Sequence, residues 1–138
     1  MSTYQHKVQY YETDRMGITH HSNYIRWMEE ARTDFLDKIG FNYAEMEAKG
    51  LSSPVIGVKC DYKASTTFDD IVEIKAYVLS CTSAKFVVGY DMKKDDKVVF
   101  KGESTHCFLD NSGKIIRLQK ELPHFYDVLC KNQQENAV

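Results

Sequence analysis

The sequence predicts an α+β fold in which one long helix covers a curved antiparallel sheet of five or six strands. Three observations lead there: a helical period over residues 23–40, a period of two through most of residues 55–109, and short polar joints between consecutive apolar runs. Strands that follow one another through tight turns pair antiparallel. A sheet built that way has one apolar face, which the long helix must cover.

Residues 4–10 alternate, with Tyr4, His6, Val8 and Tyr10 on one face and Gln5, Lys7 and Gln9 on the other, which predicts a half-buried strand. Between residues 23 and 40 the side chains Tyr24, Ile25, Trp27, Met28, Ala31, Phe35, Leu36 and Ile39 recur at three and four. That spacing is one wide apolar stripe on a helix. Ser22 or Asn23, or Thr19 a turn earlier, can cap its start, and Gly40 suits the left-handed residue past its end. Residues 42–49 predict a short second helix closed by Gly50. From Pro54 the period is two, through Ile56, Val58, Cys60 and Tyr62, then Val72, Ile74, Ala76 and Val78, then Phe86, Val88, Tyr90 and Met92, with a fourth run from Val98 to Leu109. Lys94-Asp95-Asp96-Lys97 reads as a tight hairpin and residues 110–113 as another turn. A short strand over residues 114–118 and a terminal helix over 122–131, with Pro123 in its first turn, complete the order and leave residues 132–138 as a frayed polar tail.

Length and composition narrow the class. A chain of 138 residues, 43% hydrophobic and 12% aromatic, is expected to form a single domain over 1–138 and is too apolar for disorder. A net charge of -2 argues against a nucleic-acid partner held through the phosphate backbone. No apolar run is long enough for a membrane span and the N-terminus has no signal-peptide core, so a cytoplasmic location is expected. Cys60, Cys81, Cys107 and Cys130 are too widely spaced for a close metal-ligand pair and read as reduced core thiols. With no second long helix to cover the sheet ends, pairing of copies through an edge strand is expected.

Chemistry concentrates in residues 10–24, which pack carboxylates, a histidine pair and phenols just before the predicted start of the long helix. A helix N-terminus exposes unpaired N–H groups and partial positive charge, so it can polarise a carbonyl. A carboxylate a few residues upstream can act there as base or nucleophile. Composition alone would make Asp14 a turn residue. The string Tyr10-x-x-x-Asp14-x-x-Gly17-x-x-x-His21-x-x-Tyr24, followed by a helix with Trp27, Glu29, Glu30, Ala31 and Arg32, shifts that balance. It resembles the 4-hydroxybenzoyl-CoA thioesterase-like branch of the hotdog-fold acyl-CoA thioesterases, over nearly the whole chain.

The resemblance implies a hotdog fold, hydrolysis of a small or medium acyl-CoA to free acid and CoA, and a homo-dimer or homo-tetramer whose sites draw on two subunits. It implies Asp14 as nucleophile or general base, the backbone N–H of His21 as donor to the thioester oxygen with possible help from its side chain, Tyr10 near the carboxylate, and Gly17 and Tyr24 in substrate binding. No resident cofactor or metal is implied, since coenzyme A enters with the substrate and leaves as product. A thioester is electrophilic enough to need no serine triad, and no GxSxG elbow occurs. Adjacent His20 and His21 diverge and make a poor metal pair.

Other residues draw weaker expectations. Glu12 is expected in solvent, His106 as a hydrogen-bonded core residue, and His6, His20 and His124 without a role. Tyr62, Lys63 and residues 65–67 could reach the site across a subunit boundary. Arg15, Lys85, Lys93, Lys94, Lys97 and Lys101 could attract phosphates, although lysines on strand edges are ordinary. Three rivals stand beside hydrolysis of acyl-CoA: an acyl-carrier-protein thioesterase, a non-catalytic acyl-thioester binding module, and an acyl-thioester dehydratase. A carboxylate beside the thioester counts against the second, because a binder gains little from it. An acyl-thioester dehydratase on the same fold would lack the D-x-x-G turn.

Overall fold

The computed structural model describes residues 3–41 and 43–133. Its strands are β1 (Tyr4–Lys7), β2 (Val55–Tyr62), β3 (Ile71–Cys81), β4 (Lys85–Lys94) and β5 (Lys97–Cys107), and its helices α1 (Ser22–Lys38), α2 (Tyr43–Ala48), α3 (Leu118–Glu121) and α4 (Pro123–Lys131). The strands form one sheet in the order β1-β3-β4-β5-β2, antiparallel throughout. Asn42, the first residue of the predicted second helix, and residues 134–138 of the predicted tail lie outside the described residues.

The chain groups into two compact units. The first takes in residues 3–35, 60–76 and 90–102, and the second 36–59, 77–89 and 103–133. In the first, β1 pairs with β3 in the register Tyr4↔Ile74 and His6↔Val72. The α1 stripe buries Tyr24, Trp27, Met28 and Ala31. Tyr24 stacks on Phe100 of β5 at 5.2 Å between ring centroids. Ile25 is 43% exposed, because it lies about 100° around the helix from Tyr24. Arg32 takes the flank in its place, buried with its guanidinium donating to the Tyr90 hydroxyl at 3.1 Å. In the second unit Phe41 packs on Phe125 and Phe86, and Phe86 stacks on Phe108 and His106. His106 is the core histidine the sequence predicts, fully buried with Nε2 2.8 Å from the Ser104 hydroxyl.

Three expectations are corrected. β1 ends at Lys7, not at residue 10: Val8 still exchanges hydrogen bonds with Asp69 and Asp70, and then a 3-10 turn, Tyr10–Glu12, swings Tyr10 out of the strand face to 76% exposure. Residues 114–118 hold one bridge, Leu109↔Ile115, in place of a strand, and Leu118 begins α3. The predicted terminal helix matches expectation as α4, with Pro123 in its first turn as its missing N–H allows, and the short α3 precedes it. Of the four thiols only Cys107 is buried, and Cys81 Sγ lies 3.4 Å from Cys130 Sγ. The hairpin between β4 and β5 matches expectation: Asp95 and Asp96 both adopt positive φ, 48° and 64°, the pairing a two-residue primed turn requires.

Candidate active site

All of residues 10–24 fall in the first unit, and their local structure follows from a small number of hydrogen bonds. Thr13 and Thr19 form a bridge, the Asp14 N–H donates to the Ile18 carbonyl at 2.9 Å, and the Gly17 N–H donates to the Asp14 carbonyl at 3.0 Å. This is a four-residue turn closed by a left-handed residue, and Gly17 supplies it at φ 78°. Asp14 is partly exposed at the head of the turn, with Oδ1 accepting the Met16 N–H at 2.8 Å. Among the described residues, Oδ2 takes no hydrogen bond. The carboxylate is thus held by one oxygen and presented by the other.

The far side of the loop is fixed by the segment after β2. The Thr19 N–H donates to the Thr66 carbonyl at 2.8 Å, the Thr19 and Thr66 hydroxyls lie 2.6 Å apart, and the Thr67 hydroxyl donates to the Gly17 carbonyl at 2.7 Å. Tyr24 is buried, its hydroxyl 3.0 Å from that of Thr66. Burial raises its pKa, so the phenol is neutral. The structure therefore sets Tyr24 as a packing residue under the loop and not on its surface.

Sequence reasoning missed the residue at the centre of this region. Glu12, expected in solvent, is 4% exposed. Its Oε1 accepts the Gln9 N–H and lies against His6 Nε2, and its Oε2 accepts the indole N–H of Trp27, each at 2.8 Å. Its carbonyl accepts the His20 N–H at 2.8 Å and the Asn23 side-chain N–H at 2.9 Å. Burial alone would raise its pKa, but the bonds from Gln9, His6 and Trp27 outweigh it and hold the carboxyl below the usual value. His6, given no role, is the neighbour of both Glu12 and Glu30, and its ring lies 4.6 Å from that of Trp27. One signal was present in the sequence: a buried tryptophan needs an acceptor for its N–H, and Glu12 is among the nearby carboxylates.

Thr19 and Asn23 are both engaged inside the fold, so neither caps α1, and Ser22 is already its first residue. The His20 ring nitrogen meets the Ser22 N–H and hydroxyl instead. His21 follows, exposed, with its ring 4.3 Å from that of His20 and edge-on to Tyr62. The Tyr62 hydroxyl donates to the His21 carbonyl at 3.2 Å. Burial and the neighbouring Cys60 thiol push the Tyr62 phenol up to about 12. Tyr62 and Thr67 reach residues 17–21 from within the same chain. Tyr10 points outward against Phe68 at 5.7 Å, and Tyr10, Tyr11, Met16 and Phe68 are all more than half exposed around the turn. Among the described residues no group of His, Cys, Asp and Glu is arranged to hold a metal ion, and no helix is long and apolar enough to cross a membrane.

A partly exposed carboxylate on a glycine-closed turn, followed at once by a helix N-terminus, is an arrangement for attacking a polarised carbonyl. Comparison with known proteins decides the family. A family model described as the thioesterase-like superfamily matches residues 8–131. The chain belongs to that superfamily. Among solved structures this thioesterase is similar to a DHNA-CoA thioesterase from Staphylococcus aureus, at 31% identity and TM-score 0.90 over 94% of this chain and 89% of that one. A second, a hypothetical protein from Aquifex aeolicus, is 38% identical with TM-score 0.84 over 94% and 99% of the two chains. The 4-hydroxybenzoyl-CoA thioesterase of a Pseudomonas species is 22% identical over 93% of this chain and 96% of its own length. The thioesterase accordingly has the hotdog fold and is a thioester hydrolase of the 4-hydroxybenzoyl-CoA thioesterase-like kind.

Proposed function

We propose that this thioesterase hydrolyses a small or medium acyl-CoA to the free acid and CoA, with Asp14 as nucleophile or general base and the His21 N–H as oxyanion donor. One observation carries the reading: the Asp14 carboxylate is anchored through Oδ1 and open at Oδ2, on a loop whose end leads directly into α1. In the reaction Asp14 attacks the thioester carbon, or takes a proton from the water that does. Negative charge gathers on the carbonyl oxygen, where a fixed N–H at a helix start stabilises it more than it stabilises the ground state. The C–S bond then breaks and CoA leaves as thiolate, which yields the free acid at once on the general-base route and, on the nucleophilic route, an Asp14–acyl anhydride that water hydrolyses to the free acid and Asp14. Gly17 gives the turn its shape, Tyr10 stands beside the loop edge-on to Phe68, where a bound acyl donor can meet it, and Tyr24 supports the loop from below. The carrier is read as CoA because the relatives are named as CoA thioesterases; acyl carrier protein is the alternative.

The whole of 1–138 acts in this reading as one hotdog domain without a resident cofactor, working in the cytoplasm as a homo-dimer or homo-tetramer. Support for the oligomer comes from β2, an edge strand on which Ile56, Val58 and Tyr62 are about half exposed, and from the apolar side chains around the turn.

The test is thiol release from a panel of acyl-CoA and acyl-carrier-protein thioesters. Wild type is expected to hydrolyse at least one acyl-CoA, and Asp14→Asn to lose at least ~100-fold in kcat, the scale of a positioned base or nucleophile. Removal of the His21 side chain is expected to cost less, because its N–H survives. Absence of thiol release, or an Asp14→Asn variant as fast as wild type, overturns the proposal. In a single turnover in oxygen-18 water, label entering the Asp14 carboxylate with an Asp14 oxygen in the product acid shows the nucleophilic route. Label in the product alone fits either a general base or water attack at the acyl carbon of an Asp14 anhydride, which hydroxylamine trapping then distinguishes.

A further inference from the structure

We propose that Tyr62 and Thr67 are positioning residues for hydrolysis, the Tyr62 hydroxyl fixing His21 at the start of α1 and the Thr67 hydroxyl fixing the Gly17 carbonyl and with it the turn that presents Asp14. The proposal rests on the roles given above to Asp14 and His21.

Each hydroxyl touches one half of the machinery. Tyr62 donates to the His21 carbonyl at 3.2 Å and Thr67 to the Gly17 carbonyl at 2.7 Å. Both donors are themselves held. The Tyr62 ring sits edge-on against Tyr24 and Phe100 at 5.4 and 5.3 Å, so packing aims its hydroxyl. With its pKa up at about 12, the phenol keeps its proton at any working pH. Thr67 is bridged to Ile18, and its N–H donates to Asp70 Oδ2 at 2.8 Å. Asp70 Oδ1 in turn meets Lys94 Nζ at 2.9 Å. Asp69, at φ 74°, closes that turn in a left-handed conformation. The end of β2 and the segment after it thus form a strut, Tyr62 reaching the donor residue and Thr67 the carboxylate loop.

The functional consequence follows from how strongly rate depends on placement. A reacting group displaced by roughly 1 Å can lose on the order of 100-fold in rate, and a donor stabilises a transition state only if already aimed where charge develops. Without the Tyr62 hydroxyl the peptide at His21 loses one of its anchors. Without the Thr67 hydroxyl the turn keeps its internal bonds but loses its tie at Gly17. Both losses act in the transition state, so they lower kcat and leave KM in place.

The variants are Tyr62→Phe and Thr67→Val, which remove a hydroxyl while keeping shape, and Thr67→Ser, which keeps the hydroxyl. Tyr62→Phe and Thr67→Val are expected to lose about 5- to 20-fold in kcat, with KM within twofold of wild type, as befits a lost hydrogen bond to a positioned group. Thr67→Ser should recover most of the rate. Hydrogen exchange at the amides of residues 14–22 should accelerate in the first two variants, with exchange elsewhere and the thermal midpoint unchanged. Wild-type kcat in Tyr62→Phe and Thr67→Val while Asp14→Asn is inactive overturns the positioning roles and leaves the Asp14 assignment standing. So does a loss that tracks a lowered thermal midpoint, or a Thr67→Ser variant as slow as Thr67→Val. A wild-type chain that releases no thiol overturns both.

Discussion

Glu12 shows how a single buried side chain can set the frame of a whole loop. Its carboxylate closes the 3-10 turn and joins β1 to α1 through His6 and Trp27, while its carbonyl receives His20 and Asn23 from the other end of the loop. Asp14, two residues on, inherits its position from these bonds. Glu12→Ala strands buried donors on Gln9 and Trp27, and a loss of about 3 kcal/mol in unfolding free energy is expected by urea denaturation. The pH dependence has a definite sign. The folded pKa of Glu12 is below the ordinary 4.5, so its stabilisation is fully present above that value and is lost as pH falls through the folded value. Acid titration of stability should therefore be less steep below pH ~4.5 in Glu12→Gln than in wild type.

At the scale of elements, the joints are as specified as the strands. Asp95 and Asp96 both carry a side chain at positive φ, where glycine or asparagine is more at ease. Replacing Asp95-Asp96 by Asn-Gly should raise stability by about 0.5–1 kcal/mol, read as a higher urea midpoint with unchanged slope. Gly89 makes the opposite case. A methyl group there would come within 2.5 Å of the Tyr77 ring, so Gly89→Ala should displace that ring and cost about 1–3 kcal/mol by the same measurement. Both sites clarify what a single sequence discloses. The alternation from Val72 to Met92 and the stripe from Tyr24 to Leu36 were legible because a repeat averages over many residues. So was the Asp14-to-His21 spacing, through its resemblance to a known motif. The Glu12 network, Tyr62 and Thr67 were not, because each depends on which residues far apart in the chain come to face one another. The short β1 was hidden for a related reason: Tyr10 continues the period of two although the backbone has already turned at Gln9.

At the scale of the whole molecule, β2 ends the sheet with Ile56, Val58 and Tyr62 about half exposed. Edges of that kind are costly to leave in water. If β2 is the seam of the proposed homo-oligomer, Val58→Lys shifts the protein toward monomer by light scattering and lowers its hydrolytic rate in parallel. The tie between the Asp14 turn and the strut after β2 also has a kinetic consequence. Those hydrogen bonds span 47 to 50 residues, whereas the turn and the start of α1 are local. Contacts of long sequence separation close late, since the intervening chain must be ordered first. In refolding from denaturant, helical circular dichroism should return before hydrolytic activity, and the gap between the two should narrow when a shorter or stiffer chain leads from α1 to β2.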